Sequence, residues 1–203
     1  MRQMSKSKQS PAQKNAKKST VLDAAADVFA QYGFKRTTMN DIATAAGISR
    51  PALYLMFENK EHLFKELAAH RIKIALKKAR AVLVKKQPIT TRFIDGIKTF
   101  ERTYTEPVAS SPHGDELIDV SANLASGIMI EGRSSLVAAL VKELKKADQS
   151  GEVNFQNNPL SHKAFVDLLL SSIGGVKKNS VSKADYRKKT QQVIEVFLKT
   201  INK

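Results

Sequence analysis

The residues best placed to do chemistry lie in one short stretch, Ser49-Arg50-Pro51-Ala52-Leu53-Tyr54-Leu55, flanked by Lys35, Arg36 and Thr38 upstream and Lys60 downstream. A guanidinium at the tip of a short helix can bond guanine O6 and N7 in a bidentate fashion. Exposed Pro, Ala and Leu side chains can meet thymine methyl groups. Thr38 and Ser49, at the starts of two helices, together with Lys35, Arg36, Lys60 and the Tyr54 hydroxyl, suit phosphate oxygens. Such phosphate contacts position a protein on a duplex, and the Arg50 face supplies the base reading. Each residue also has an ordinary use: Thr38 and Ser49 as caps, Tyr54 as packing, Lys60 as a solvated first-turn side chain.

Catalytic and metal chemistry find less support. His62, His70, His113 and His162 show no HExxH or paired-His spacing, so neither a metal site nor a cofactor is expected. With no Cys, disulfides, thiolate zinc sites and thiol catalysis are excluded, in keeping with a reducing interior. Ser111, His113 and Asp115 crowd one Pro/Gly-rich loop, but triad partners must meet from rigid supports. The expectation is a protein that is not an enzyme.

Several elements must position the Arg50 face. Val21, Leu22, Ala25, Phe29 and Tyr32 recur at three- and four-residue spacing, which predicts an amphipathic helix over 16–32 closed by Gly33. Thr38 with Asp41 has capping-box form and opens a second helix over 39–45, stopped at Gly47. Ser49 caps a third, with Pro51 in its first turn and Leu53 and Phe57 facing inward; its end is expected near Asn59. Ala43 permits close crossing and Ile48 plugs the turn. A short helix, a glycine turn and a second short helix form a helix-turn-helix.

From Lys60 the apolar pattern sustains a helix of about 26 residues. Further helices are predicted over 89–106, 114–126, 131–149, 161–176 and 183–201, separated by SSPHG, GIMIEG, GEVNFQNNP and GGVKKNS breaks. No segment has strand periodicity, so the fold class is all-α. The expected organisation is a disordered basic arm over 1–15, a DNA-binding domain over 16–60 and a helical ligand-binding and dimerisation domain over 61–203.

The formal net charge is +15. Residues 1–60 hold 10 Lys/Arg against 4 acids and residues 61–86 hold 8 against 2, whereas residues 87–203 hold 16 against 13. The excess therefore sits at one end, as suits a polyanionic partner, although a solvated basic surface has the same signature. No apolar run reaches the length of a membrane span, and the first 20 residues lack the apolar core of a secretory signal, so a cytoplasmic protein is expected.

The run TTMNDIATAAGISRPALYLMFENKEHLFKELA, preceded by VLDAAADVFAQYGFKR, resembles the DNA-binding domain of the tetracycline-repressor (TetR) family over about residues 16–68. The shared pattern is an apolar first helix, a glycine, a Thr cap, an Ile-Ala pair, Gly-Ile-Ser, Leu-Tyr, Phe and Lys-Glu. The resemblance implies operator contacts at Thr38, Ser49, Arg50, Pro51, Ala52, Tyr54 and Lys60; Leu55 joins them as part of the exposed face. Met56 departs from the His or Tyr common in the family. The resemblance further implies a repressor of near-palindromic double-stranded operator DNA, a homodimer joined by its last two helices, and a small-molecule effector. Tyr104, His113, Asn123, Met129 and Phe165 are the candidate effector-pocket residues, each also readable as ordinary core or loop. The rival class is a sequence-independent nucleic-acid or membrane-surface binder built on the arm and the lysine-rich helix.

Overall fold

The computed structural model describes residues 10–105, 108 and 110–202; the first nine residues of the expected basic arm lie outside them. The described residues form nine α-helices: α1 Pro11–Arg36, α2 Met39–Ala45, α3 Arg50–Tyr54, α4 Lys60–Leu83, α5 Ile89–Tyr104, α6 Gly114–Leu124, α7 Ser126–Gln149, α8 His162–Lys178 and α9 Lys183–Lys199. Among the described residues the sole β pairing is an isolated bridge between Val153 and Asn202.

The first helix begins five residues earlier than expected, so residues 11–15 are helical rather than part of an arm. Ser10 accepts the Gln13 amide and the Gln13 side chain accepts the Ser10 amide, a complete capping box, with Pro11 at the first helical position. Beyond residues 11–15, within the stretch already expected to be helical, Lys18 pairs with Glu66 at 2.8 Å and lies over the Phe57 ring, and Ser19 meets His70 at 3.2 Å. At the other end Gly33 breaks the helix with φ +79°, ψ 166°, a conformation that a side chain would strain.

The third helix also differs from expectation, ending at Tyr54 rather than near Asn59. Met56 and Phe57 both donate to the Leu53 carbonyl, closing the last turn, and the Asn59 side chain accepts the His62 amide at 2.7 Å. Asn59 therefore starts α4 instead of finishing α3. The GIMIEG segment is helical within α7, and α8 runs through Gly174 and Gly175 to Lys178. A glycine costs a helix about 1 kcal/mol, whereas α7 buries Leu136, Val137, Leu140 and Leu144 at about 1.5–3 kcal/mol each. Burial decides the outcome.

Two compact units form, and neither follows the expected division at residues 60 and 61. One comprises Met1–Ile72 with Thr105–Met129, the other Lys73–Tyr104 with Ile130–Lys203. In the first, Phe29, Ile42, Leu53, Phe57 and Leu63 are almost fully buried, and the rings of Phe29, Phe34 and Phe64 meet with centroids 5.3–5.6 Å apart. Leu117 of α6 joins this core, so a helix from far along the sequence belongs to the N-terminal unit.

In the second unit α9 packs on α5 and α8 around Phe93, Ile97, Leu140, Leu144, Phe165, Leu169, Ile194 and Leu198. Gly96 allows α5 to approach Leu83 closely, since a methyl group there would stand 2.7 Å from its Cδ2. The buried Arg92 is satisfied on several sides: Nε donates to the Gln87 carbonyl at 2.8 Å and NH2 pairs with Glu152 at 2.5 Å. Its NH1 faces Glu143 at 3.8 Å. A buried charge in such a net is tolerated because it is paired.

Candidate nucleic-acid interface

The helix-turn-helix is built from short-range bonds. Thr38 accepts the Asp41 amide at 3.3 Å, and Asp41 accepts the Thr38 amide and hydroxyl, each at 2.8 Å. Those bonds hold the Asp41 carboxyl below the usual carboxylate range. Between α2 and α3 the Ala46 amide donates to Ile42 and the Ile48 amide to Ala43, while Gly47 takes φ +63° with open space around it. Ser49 then caps α3 by accepting the Ala52 amide at 3.3 Å.

On α3 a single side chain is sunk into the core: Leu53, at 0% exposure. Around it Ser49, Arg50, Pro51 and Tyr54 are exposed and Ala52 half-buried. Leu55, one residue beyond the helix as its C-cap, is 90% exposed. An apolar side chain so fully in water contributes nothing to the fold, and beside Arg50 it completes a surface of mixed apolar and cationic character. The Arg50 guanidinium lies over the Tyr54 ring, 5.6 Å from its centroid, which limits the directions it can sample. Lys35, Arg36 and Thr38 are exposed at the start of the same region.

Lys60 does not stand free among them. Its ammonium donates to the carbonyls of Phe34 at 2.8 Å, Thr37 at 2.9 Å and Lys35 at 3.4 Å, and sits 4.5 Å from the Phe34 ring centroid. An ammonium has three N–H donors, and here all three are directed at backbone. Lys60, expected at a phosphate, is held here by these carbonyls and clamps the end of α1.

Sequence reading missed Glu116. Its Oε1 accepts the Lys35 amide at 2.7 Å across 81 residues, and Oε2 lies 3.8 Å from His113 Nδ1. Nothing in the local sequence signals this contact, because Glu116 reads as an ordinary first-turn acid of α6. The His113 amide donates to Ser111 Oγ at 3.0 Å while its ring faces Glu116, an arrangement of helix entry rather than of nucleophile activation.

The five effector-pocket candidates are divided between the units. In the second, Phe165 is buried against Phe155 and Phe197 and lines an open cavity of about 530 Å³ with Asn154, Asn158, Leu160, Leu168 and Val196. Tyr104 is half-buried beside Phe100, and burial pushes its phenol up. In the first, His113 faces Glu116, Asn123 donates to the Asp119 carbonyl of its own helix, and Met129 is 37% exposed. No single site gathers the candidates within either unit. Among the described residues no group of three His, Asp or Glu could hold a metal ion, and no single helix is long and apolar enough to cross a membrane.

A compact helical head with one sunken leucine, a glycine turn and an Arg-tipped exposed helix defines a helix-turn-helix protein. Residues 21–67 match the family model described as bacterial regulatory proteins, tetR family. Over 47 residues the chain is 49% identical to a probable acrEF/envCD operon repressor of Escherichia coli strain K12, a stretch covering 23% of this chain and 21% of that relative. The match thus spans about a fifth of the relative's length. A solved transcriptional regulator from Cytophaga hutchinsonii superposes with TM-score 0.72 at 20% identity over 91% of this chain and 98% of that one. SmeT of Stenotrophomonas maltophilia, solved in complex with triclosan, superposes with TM-score 0.61 at 15% identity over 93% and 92%. Over residues 21–67 the chain is thus similar to the tetR family, and over most of its length it shares the fold of the solved regulators.

Proposed function

We propose that this protein is an operator-binding transcriptional regulator, a repressor released by a small-molecule ligand. The observation that carries this reading is the division of α3. Leu53 is fully buried, whereas Arg50, Pro51, Tyr54 and the adjoining Leu55 face outward, which suits a major groove better than water. Arg50, Pro51, Ala52 and Leu55 are assigned to base edges. Lys35, Arg36, Thr38, Ser49 and the Tyr54 hydroxyl are assigned to phosphates.

One short helix reads few base pairs, so a two-fold dimer on a near-palindrome is part of the proposal. Leu168 on α8 is 49% exposed and Val196 on α9 is 62% exposed, and these side chains supply an apolar seam for a four-helix interface. Ligand control is supported by SmeT having been solved with a small molecule. A ligand that prefers a conformer with wrongly placed reading helices lowers operator affinity by its differential affinity for the two states.

Selection of bound fragments from random double-stranded DNA tests the reading. The expected product is a near-palindromic sequence protected in footprinting. Equal recovery of all sequences, with a steep salt dependence, would instead establish sequence-independent binding through the basic surface.

A further inference from the structure

Residues 33–37, from the kink at Gly33 to the C-cap of α1, are packed through the Phe34 ring and the buried Thr37 and are further held by hydrogen bonds from side chains. The Thr37 hydroxyl donates to the Gly33 carbonyl at 2.6 Å, Lys60 takes the carbonyls of Phe34, Lys35 and Thr37, and Glu116 takes the Lys35 amide at 2.7 Å. A Cβ on Gly33 would overlap the Glu116 carboxylate, so this glycine is required twice, for its positive φ and for the room Glu116 occupies. Leu117, the next residue, is 3% exposed in the core of the same unit. Glu116 is thereby fixed at its base and hydrogen-bonded at its tip.

Three of the residues assigned to phosphates, Lys35, Arg36 and Thr38, lie in or directly after this turn. A contact set held in place before binding loses less conformational entropy on binding than one that must be ordered by the DNA. We propose that Glu116 is a positioning residue for operator binding. Its carboxylate fixes the 33–37 turn, setting where Lys35, Arg36 and Thr38 meet the duplex. The inference rests on the operator-binding reading above.

The test separates reach from charge. Glu116→Asp keeps the charge but is one methylene too short to hold the Lys35 amide; Glu116→Gln keeps the length and an acceptor oxygen but removes the charge. Both changes are at a partly exposed position and leave the core untouched. Affinity for the selected duplex, its dependence on salt, and amide hydrogen exchange over residues 33–37 are measured on the full chain. Glu116→Asp is expected to bind about tenfold more weakly, the scale of one charge-assisted hydrogen bond, with faster exchange in the turn and an unchanged salt slope. Glu116→Gln is expected to bind as the wild type or up to about threefold tighter, because an acid near phosphates is gone. Wild-type affinity and exchange in Glu116→Asp, or a loss confined to Glu116→Gln, overturns the proposal. If the wild type selects no sequence, operator binding itself fails, and the exchange measurement still decides whether Glu116 holds the turn.

Discussion

The Lys60 ammonium lies 2.8 Å from the carbonyl of Phe34, 26 residues upstream, and over the face of the same residue's ring at 4.5 Å. One side chain thus closes the C-terminal end of α1, where carbonyls lack helical partners, and ties α4 to it.

Replacing Lys60 with Met keeps the aliphatic stem and removes the donors. The loss is expected to destabilise the fold by about 1–3 kcal/mol, the range for hydrogen bonds to a charged group. Thermal unfolding reads this directly. Operator affinity is expected to fall with the ordered turn, while the slope of log affinity against log salt stays as in the wild type, the outcome for a side chain engaged with backbone instead of phosphate. Lys35→Ala, by contrast, lowers that slope by about 1. A lowered slope in Lys60→Met would restore the phosphate role.

Arg50→Ala is expected to relax discrimination at one base position by about 1–3 kcal/mol. Repeating the selection with the variant should give a sequence degenerate at that position and preserved elsewhere. A uniform loss across all sequences would assign Arg50 to phosphate instead.

Leu55 gives a cleaner separation of stability from function. At 90% exposure its replacement by Ser should leave unfolding within about 0.5 kcal/mol of the wild type. Operator affinity is nevertheless expected to drop several-fold, measured by fluorescence anisotropy of a labelled duplex. Unchanged affinity would remove Leu55 from the interface.

Glu101 supplies a pH dependence. Burial raises its carboxyl above the ordinary range, opposed by the hydrogen bond from Tyr186 and the charge of Lys177. Burial, followed by the bond to Glu101, pushes the Tyr186 phenol up as well, keeping it a donor. Between the ordinary carboxylate value and the raised one, the folded protein binds more protons than the unfolded chain, so this group's contribution to stability falls as pH rises. Glu101→Gln retains an acceptor for Tyr186 without the charge. Its melting temperature should decline less than that of the wild type from pH 4 to pH 7; parallel curves would show that Glu101 is not the source.

The paired substitutions Leu168→Glu and Val196→Glu test the dimer seam. Both positions are exposed within one chain, so the chain should fold, while charges facing one another across the two-fold axis should yield a monomer in light scattering. A persistent dimer would place the interface elsewhere.

The amino-acid sequence by itself determined the helix-turn-helix. The Thr38–Asp41 box, Gly47 and the Ser49 cap act over at most three or four residues, and the apolar spacing through Leu53 and Phe57 selects the buried side of α3, so local rules suffice. Where local rules misled, burial or a competing cap prevailed: Asn59 served α4 rather than α3, and the glycines of GIMIEG stayed helical under the weight of the buried leucines beyond them. Tertiary structure alone decided the use of Lys60 and Glu116. Their partners are backbone groups 23–26 and 81 residues away, and backbone groups carry no sequence signature. A charged side chain reads as solvated until the fold brings an unpaired carbonyl or amide within its reach.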